Sequence, residues 1–194
     1  ILDKIFKFDI KNVYLSLCYK PYLFKEYLEK ISFQKKIISI IEPGPLGTGG
    51  AINYVIKNLK VSSPFFVING DSLSDINLDH MAAEFVNSNL KAMVGISEVE
   101  DVSRYGAVIE QDGKVQSFEE KGVSGSGWIN NGHCIIKKEV FDRYSGVFSL
   151  EKDLFPTLVE NHELGAFKVF NDNFIDMGIP DDYKKLCEKY KELD

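Results

Sequence analysis

Residues 36–71 read KIISIIEPGPLGTGGAINYVIKNLKVSSPFFVINGD. Residues 36–41 are a β-branched apolar run, the pattern of a strand buried on both faces. A Pro- and Gly-rich turn follows and opens a helix that Thr48 can cap, with Ile52, Val55, Ile56 and Leu59 spaced as its buried stripe. Residues 65–68 are again wholly apolar, and the chain then reads Asn69-Gly70-Asp71. Strand, helix and strand in this order predict a parallel α/β unit whose strand end presents a carboxylate.

The alternation extends both ways. Upstream, residues 12–19 (NVYLSLCY) alternate as a strand, and Pro21 starts a helix to about residue 30 with Tyr22 to Phe24, Tyr27 and Leu28 on its inner side. Downstream come a helix over 79–87 and a strand over 91–99. Residues 107–110 and 115–120 then form a β-hairpin turning at Asp112-Gly113. Residues 124–127 (SGSG) are a loop, and residues 129–136 a strand bent at Asn130-Asn131-Gly132. Ser149 caps a helix ending near Asn161, with Leu150, Leu154, Leu158 and Val159 inward. Residues 166–170 and 174–175 are short strands. Pro180 opens a last helix with Asp181 and Asp182 in its first turn and Tyr183, Leu186, Cys187 and Tyr190 as its buried stripe. The whole predicts one α/β domain over 1–194, a Rossmann-like, mostly parallel mixed sheet sandwiched by helices. Helical spacing of Leu2, Ile5 and Phe6 starts the chain inside a helix. A fold of this kind ordinarily opens with a strand and its phosphate-binding loop, so the first strand is expected ahead of Ile1.

Composition narrows the function. An apolar fraction of 44% and a charged fraction of 27% are those of a soluble globule. A net charge of −6 argues against a nucleic-acid binder. Cys18, Cys134 and Cys187 lack metal-ligand spacing and fit a reducing cytoplasm without disulfides. No apolar run reaches the length of a membrane span. His80, His133 and His162 are spaced as structural or surface residues. Trp128 is read as packing, and neither a Gly-x-Ser-x-Gly elbow nor a Cys–His nucleophile is present.

Candidate chemistry gathers at strand ends. Asp71 follows a buried strand, where α/β sheets place ligands, and its hard oxygens suit Mg²⁺; Asn-Gly-Asp is equally an ordinary turn. Asp176, in Phe174-Ile175-Asp176-Met177-Gly178, repeats the design, with a glycine that lets another group approach. Gly47-Thr48-Gly49-Gly50 can offer backbone N–H groups to an anion, can lie against a flat base, or can be a capped turn. It is neither a Walker loop nor a dinucleotide fingerprint. Glu119-Glu120-Lys121 can meet a phosphate and sugar hydroxyls, or be a solvated strand end. Arg104-Tyr105-Gly106 can admit a sugar ring or be a plain loop.

The order of these pieces is specific. PLGTGGA, NGD, RYGAV, FEEK, NNG and FIDMGIPDDY, in that order over residues 10–185, resemble the sugar-1-phosphate nucleotidyltransferases. The ending looks most like the guanylyltransferases acting on manno-heptose or mannose 1-phosphate. The resemblance implies attack of a sugar 1-phosphate on a nucleoside triphosphate, GTP above all, with release of pyrophosphate. It implies nucleotide contacts from Leu46, Gly47, Thr48, Gly49, Gly50, Asn69 and Gly70, the glycines meeting the base. It implies a Mg²⁺ held by Asp71 and Asp176, a sugar pocket lined by Tyr105, Gly106, Glu120, Asn131 and Gly132, and Lys121 on the sugar phosphate. Asp71, Lys121 and Asp176 are the expected catalytic residues. The family's glycine-rich loop, with the Arg that grips the triphosphate, is not in these residues and is expected ahead of Ile1. Neither nucleic acid nor membrane is an expected partner, and a homo-oligomer stays open. Two competing readings are a non-catalytic nucleotide-sugar-binding subunit of the same fold and a glycosyltransferase. The latter is disfavoured because Ser-Leu-Ser separates Asp71 from Asp75.

Overall fold

The computed structural model describes residues 1–30, 36–122 and 124–191. They group into two compact units, Ile1–Ser63 with Lys138–Pro156, and Pro64–Lys137 with Thr157–Asp194.

In the first unit a short helix α1 (Leu2–Ile5) leads to β1 (Val13–Leu17), α2 (Pro21–Leu28), β2 (Ile37–Ile41) and α3 (Gly47–Asn58). Strands β1 and β2 pair in parallel from Val13 opposite Ile37 to Leu17 opposite Ile41. The parallel strand–helix–strand unit found here is β1-α2-β2 and not the expected one over residues 36–71, whose last strand, 65–68, pairs antiparallel in the six-stranded sheet, and two burial expectations also fail. Strand β2 is half-buried to exposed, not covered on both faces, because among the described residues β1 is its only paired neighbour. On α2 only Leu28 is buried, while Tyr22, Leu23, Phe24 and Tyr27 are exposed. An apolar stripe becomes a core only where another surface meets it. Helix α3 buries Val55 together with Gly49, Gly50 and Asn53; Ile52, Ile56 and Leu59 are half-buried. Asn53 is satisfied by donating to the Tyr144 carbonyl at 2.8 Å.

The expected helix from Ser149 arrives in two pieces, a wide π turn (Leu150–Leu154) and α5 (Phe155–Glu160). Pro156 has no N–H to continue the regular ladder. Ser149 does cap, accepting from the Lys152 N–H at 3.2 Å.

The second unit is built on a six-stranded mixed sheet of β3 (Phe65–Ile68), β5 (Ala92–Val99), β6 (Val108–Gln111), β7 (Lys114–Phe118), β8 (Gly127–Ile136) and β9 (Leu164–Val169), in the spatial order β3-β8-β5-β9-β7-β6. Strand β9 runs parallel to β5, and β8 runs antiparallel between β3 and β5. This is the mixed α/β architecture expected from the sequence. The hairpin turns at Asp112 and Gly113, with φ of +51° and +75°, the pair of left-handed residues a tight two-residue hairpin requires.

Helix α4 (Leu78–Val86) packs against β5 and β8 through Leu78, Met81 and Phe85. Its N-cap Asn77 accepts from the His80 N–H at 3.0 Å. Ala92, Val94, Ile96, Ile129, Ile136 and Leu164 are fully buried in the sheet's core. The bend expected at Asn130-Asn131-Gly132 is a bulge. The β5–β8 register passes from Val94 opposite Cys134 directly to Ile96 opposite Asn130, so residues 131–133 of β8 face Gly95 alone. A second, two-stranded ladder joins β4 (Ser72–Leu73) to β10 (Ile175–Asp176), and α6 (Pro180–Lys191) follows. Of its expected stripe, Leu186 is buried and Cys187 half-buried, Tyr183 is exposed, and the side chain of Tyr190 lies outside the described ones. Among the described residues no helix is long and apolar enough to cross a membrane.

Candidate active site

Leu46 to Gly50, the glycine-rich turn expected to meet a base, belong to the first unit. There the Phe148 carbonyl accepts from the N–H groups of both Gly49 and Gly50, at 3.0 and 3.1 Å, and the Phe148 N–H donates to the Leu46 carbonyl at 3.1 Å. The helix start is thus occupied by the protein itself, and the anion-cradle use of these two N–H groups is closed. A side chain on Gly49 would collide with the Phe148 ring, which stacks on Tyr144 at 4.9 Å. Glycines here are required by close packing.

Thr48 is not the cap of α3. The N-cap is Leu46, with no side-chain bond. The Thr48 hydroxyl instead donates to Glu151 at 2.8 Å and accepts from the Leu150 N–H at 2.9 Å. It thereby ties the turn to the π segment.

In the second unit the two candidate metal carboxylates come together. Asp176 on β10 pairs with Ser72 on β4, the residue after Asp71, and the Met177 N–H donates to the Asp71 carbonyl at 2.7 Å. Gly178 marks their common ground. A Cβ built there lies 3.0 Å from Asp176 Oδ1 and 3.9 Å from Asp71 Oδ2. The Gly178 N–H donates to Asp176 Oδ1 at 2.9 Å, and the Ser72 hydroxyl to Asp71 Oδ1 at 3.3 Å. Both Asp71 and Gly178 are exposed, so the carboxylates face a reachable surface. Two hard oxygen donors with free coordination space suit Mg²⁺, which is commonly held by one or two carboxylates plus substrate phosphates. Among the described residues no His, Cys, Asp or Glu completes a set of three.

The sugar-side residues lie in the same unit. Tyr105 packs edge-on against Phe174 at 5.6 Å. Burial raises its phenol pKa, and the charges of Asp182 and Asp176 push it further up while Arg104 opposes them. Gly106, with φ +85°, lets the Glu119 carbonyl approach to 2.6 Å of where a Cβ would stand. The Glu119 N–H donates to the Ala107 carbonyl and the Gly122 N–H to that of Ser103. Exposed Glu120 and Lys121 are therefore carried on a segment pinned at both ends beside Tyr105. Asn69, with Gly70 exposed beside it, donates its N–H to the Gly132 carbonyl at 2.8 Å.

Asn131 is fully buried, and its amide is engaged internally. It donates to Ser97 and Ser74 at 3.0 and 3.3 Å and accepts from the His133 N–H at 3.2 Å. In this structure it holds the β8 bulge.

Outside the site, Trp128 packs edge-on against Phe170, with the Lys168 ammonium over its ring, and no disulfide joins the three cysteines. His133 is buried and His80 and His162 are exposed, as read from the sequence. Sequence reasoning missed Phe148 and Glu151, which hold the glycine-rich turn in place. It also missed Asp172, Ser74 and Ser97, described below. They come from separate segments and carry no shared spacing.

The chain belongs to the nucleotidyl transferase family, whose model matches it over residues 1–192. It is 35% identical over 188 residues to the D-glycero-α-D-manno-heptose 1-phosphate guanylyltransferase of Campylobacter jejuni, covering 94% of this chain and 80% of that protein. The enzyme of the same name from Aneurinibacillus thermoaerophilus is 33% identical over 181 residues, covering 92% and 78%. Among solved structures, HddC from Yersinia pseudotuberculosis complexed with GMP-PN superposes with a TM-score of 0.85 at 35% identity, over 97% of this chain and 83% of that one.

Proposed function

We propose that this chain transfers a guanylyl group from GTP to a manno-heptose or mannose 1-phosphate, releasing pyrophosphate and forming a nucleotide-sugar in the cytoplasm. The observation that carries the reading is the β4–β10 pairing, which brings exposed Asp71 and half-buried Asp176 together beside Gly178. The names of the two heptose enzymes, and of the neighbour bound to GMP-PN, support the choice of sugar and base.

In the proposed reaction a phosphate oxygen of the sugar 1-phosphate attacks the α-phosphorus of GTP. A new P–O bond forms, the bond to the bridging oxygen breaks, and pyrophosphate leaves with that electron pair. Asp71 and Asp176 would hold Mg²⁺, which supplies neutralisation of the triphosphate charge. Lys121 neutralises the incoming sugar phosphate, and Tyr105, Gly106 and Glu120 shape the place of its ring. Asn131 and Gly132 hold the β8 bulge behind them. By the family resemblance, Leu46, Gly47, Thr48, Gly49 and Gly50 would contact the base, and Asn69 and Gly70 the nucleotide. No covalent intermediate is needed: positioning and charge neutralisation carry such transfers.

The test is pyrophosphate release by the natural protein with Mg²⁺, each nucleoside triphosphate and a panel of sugar 1-phosphates. Release with GTP and a manno-configured sugar is expected, together with its loss in Asp71→Asn and Asp176→Asn at unchanged circular dichroism. Turnover with another base corrects the substrate. Silence across the panel from folded protein overturns the catalytic reading, and full activity in either variant overturns the metal site.

A further inference from the structure

The ladder that joins the two carboxylate-bearing segments has only two residue pairs, Ile175 with Leu73 and Asp176 with Ser72. A ladder that short is not stable by itself. Something else must hold β10 against β4. Four residues before Asp176, Asp172 turns back onto the segment that follows β4. Its Oδ2 accepts from the Ser74 hydroxyl at 2.6 Å and from the Ser97 hydroxyl on β5, and its Oδ1 accepts from the Asp75 N–H at 2.6 Å. The Asn173 side chain adds a bond to Asp75.

Ser74 and Ser97 are buried at 4% and 0% exposure, and both receive hydrogen bonds from the fully buried Asn131 amide. Ser74 Oγ also accepts from the Ile76 N–H. Each hydroxyl therefore has one proton to give, and Asp172 takes both. Only a group that accepts at both ends fits this place, which an ionised carboxylate does and an amide does not.

We propose that Asp172 is a positioning residue for the nucleotidyl transfer. It clamps the β9–β10 connection to β4 and β5 and so sets Asp176 beside Asp71. The inference rests on the metal-site reading above. Asp172 touches neither substrate nor metal; it acts by fixing the ladder. Asp172→Asn keeps the shape but turns an N–H₂ toward hydroxyls already committed as acceptors to Asn131, or else toward the Asp75 N–H. Ser97→Ala removes one strand of the clamp and leaves the rest.

The test compares wild type, Asp172→Asn, Ser97→Ala and, as a control, Glu110→Gln, which breaks the ion pair with Lys168 elsewhere in the same sheet. Two quantities are read on the full chain: hydrogen exchange at the Met177 amide, which is bonded to the Asp71 carbonyl, and Mn²⁺ binding followed by electron paramagnetic resonance. In Asp172→Asn, Met177 exchange is expected to quicken about tenfold or more, and Mn²⁺ affinity to fall about tenfold or more. Ser97→Ala shifts both in the same direction and less, and Glu110→Gln leaves both at wild-type values while lowering global stability. Wild-type Met177 exchange in Asp172→Asn overturns the clamp. If that variant does not fold, wild-type exchange in Ser97→Ala does the same. Mn²⁺ binding unchanged in Asp71→Asn instead overturns the metal-site reading, an outcome visible apart from the exchange rates.

Discussion

Gly178→Ala separates what the paired carboxylates do from what holds the fold. The φ of Gly178 lies outside the left-handed region, so alanine fits its backbone without strain. Replacing glycine at a compatible position stabilises by about 0.4–1 kcal/mol through the unfolded chain. For a domain of this size that raises Tm by roughly 1–4 °C. The new methyl, however, sits 3.0 Å from Asp176 Oδ1, a spacing at which the neighbour must give by a few tenths of an ångström. It also fills the ground shared with Asp71 Oδ2 at 3.9 Å. Catalytic geometry tolerates about 0.5 Å, and an error near 1 Å costs on the order of 100-fold. A displacement of a few tenths therefore predicts a kcat loss of about tenfold and a higher Mg²⁺ activation midpoint. Stability and activity thus move in opposite directions. Differential scanning fluorimetry and pyrophosphate release with a Mg²⁺ titration read the two. Wild-type kcat and midpoint would refute the shared carboxylate site, and a fall in Tm beyond a few degrees would refute the backbone description.

Gly106→Ala should do the reverse and lose stability first. Its φ of +85° costs roughly 1–2 kcal/mol for an L side chain, and the backbone carbonyl of Glu119 at 2.6 Å has no flexible end to move aside. A Tm fall of about 2–8 °C, with a raised KM for the sugar 1-phosphate, is expected in thermal melts and steady-state kinetics. Lys121→Ala should raise KM for the sugar 1-phosphate and leave that for the triphosphate near wild type in steady-state kinetics; a wild-type KM for the sugar 1-phosphate would contradict its assignment. Glu110 offers a pH test. The Lys168 ammonium, which hydrogen-bonds it, holds its carboxyl below the ordinary glutamate value, and the Gly113 N–H adds to this against an opposing effect of burial. A depressed folded pKa contributes stability above the unfolded value that is lost as pH falls through the folded one. Urea denaturation should therefore show wild type and Glu110→Gln converging as pH is lowered through the acidic range below the ordinary glutamate pKa, with wild type the more stable at neutral pH.

Much of the sheet was legible because its strands carry their own signals. The β-branched run of β2, the alternation in β1 and the Asp112-Gly113 turn each follow from local chemistry. So does the Gly178 approach, since an acid followed closely by glycine is itself the cue. Cover was less legible. The stripes on α2 and α6 were correctly spaced for helices, yet Tyr22, Phe24, Tyr27 and Tyr183 remain exposed, because spacing states which face is apolar and not what meets it. Thr48 at a helix start reads as a cap until Glu151, distant in sequence, claims its hydroxyl. Likewise Asn131 gives no sign in the sequence that Ser74, Ser97 and Asp172 will enclose its neighbourhood. Such networks draw single residues from several segments, and no window of sequence contains them.

The placement of β8 between β3 and β5 has a consequence for synthesis. As the chain leaves the ribosome, Phe65–Ile68 and Ala92–Val99 emerge as apolar strands whose common neighbour, Gly127–Ile136, has not yet been made. At cellular elongation rates that interval lasts on the order of seconds, long compared with the microseconds in which a hairpin closes. The β6–β7 hairpin can form during the wait, while the strands flanking β8 cannot complete their ladders. Until Gly127–Ile136 has emerged, this nascent chain carries open strand edges, and chaperone attachment to ribosome-bound chains should fall once that strand is exposed.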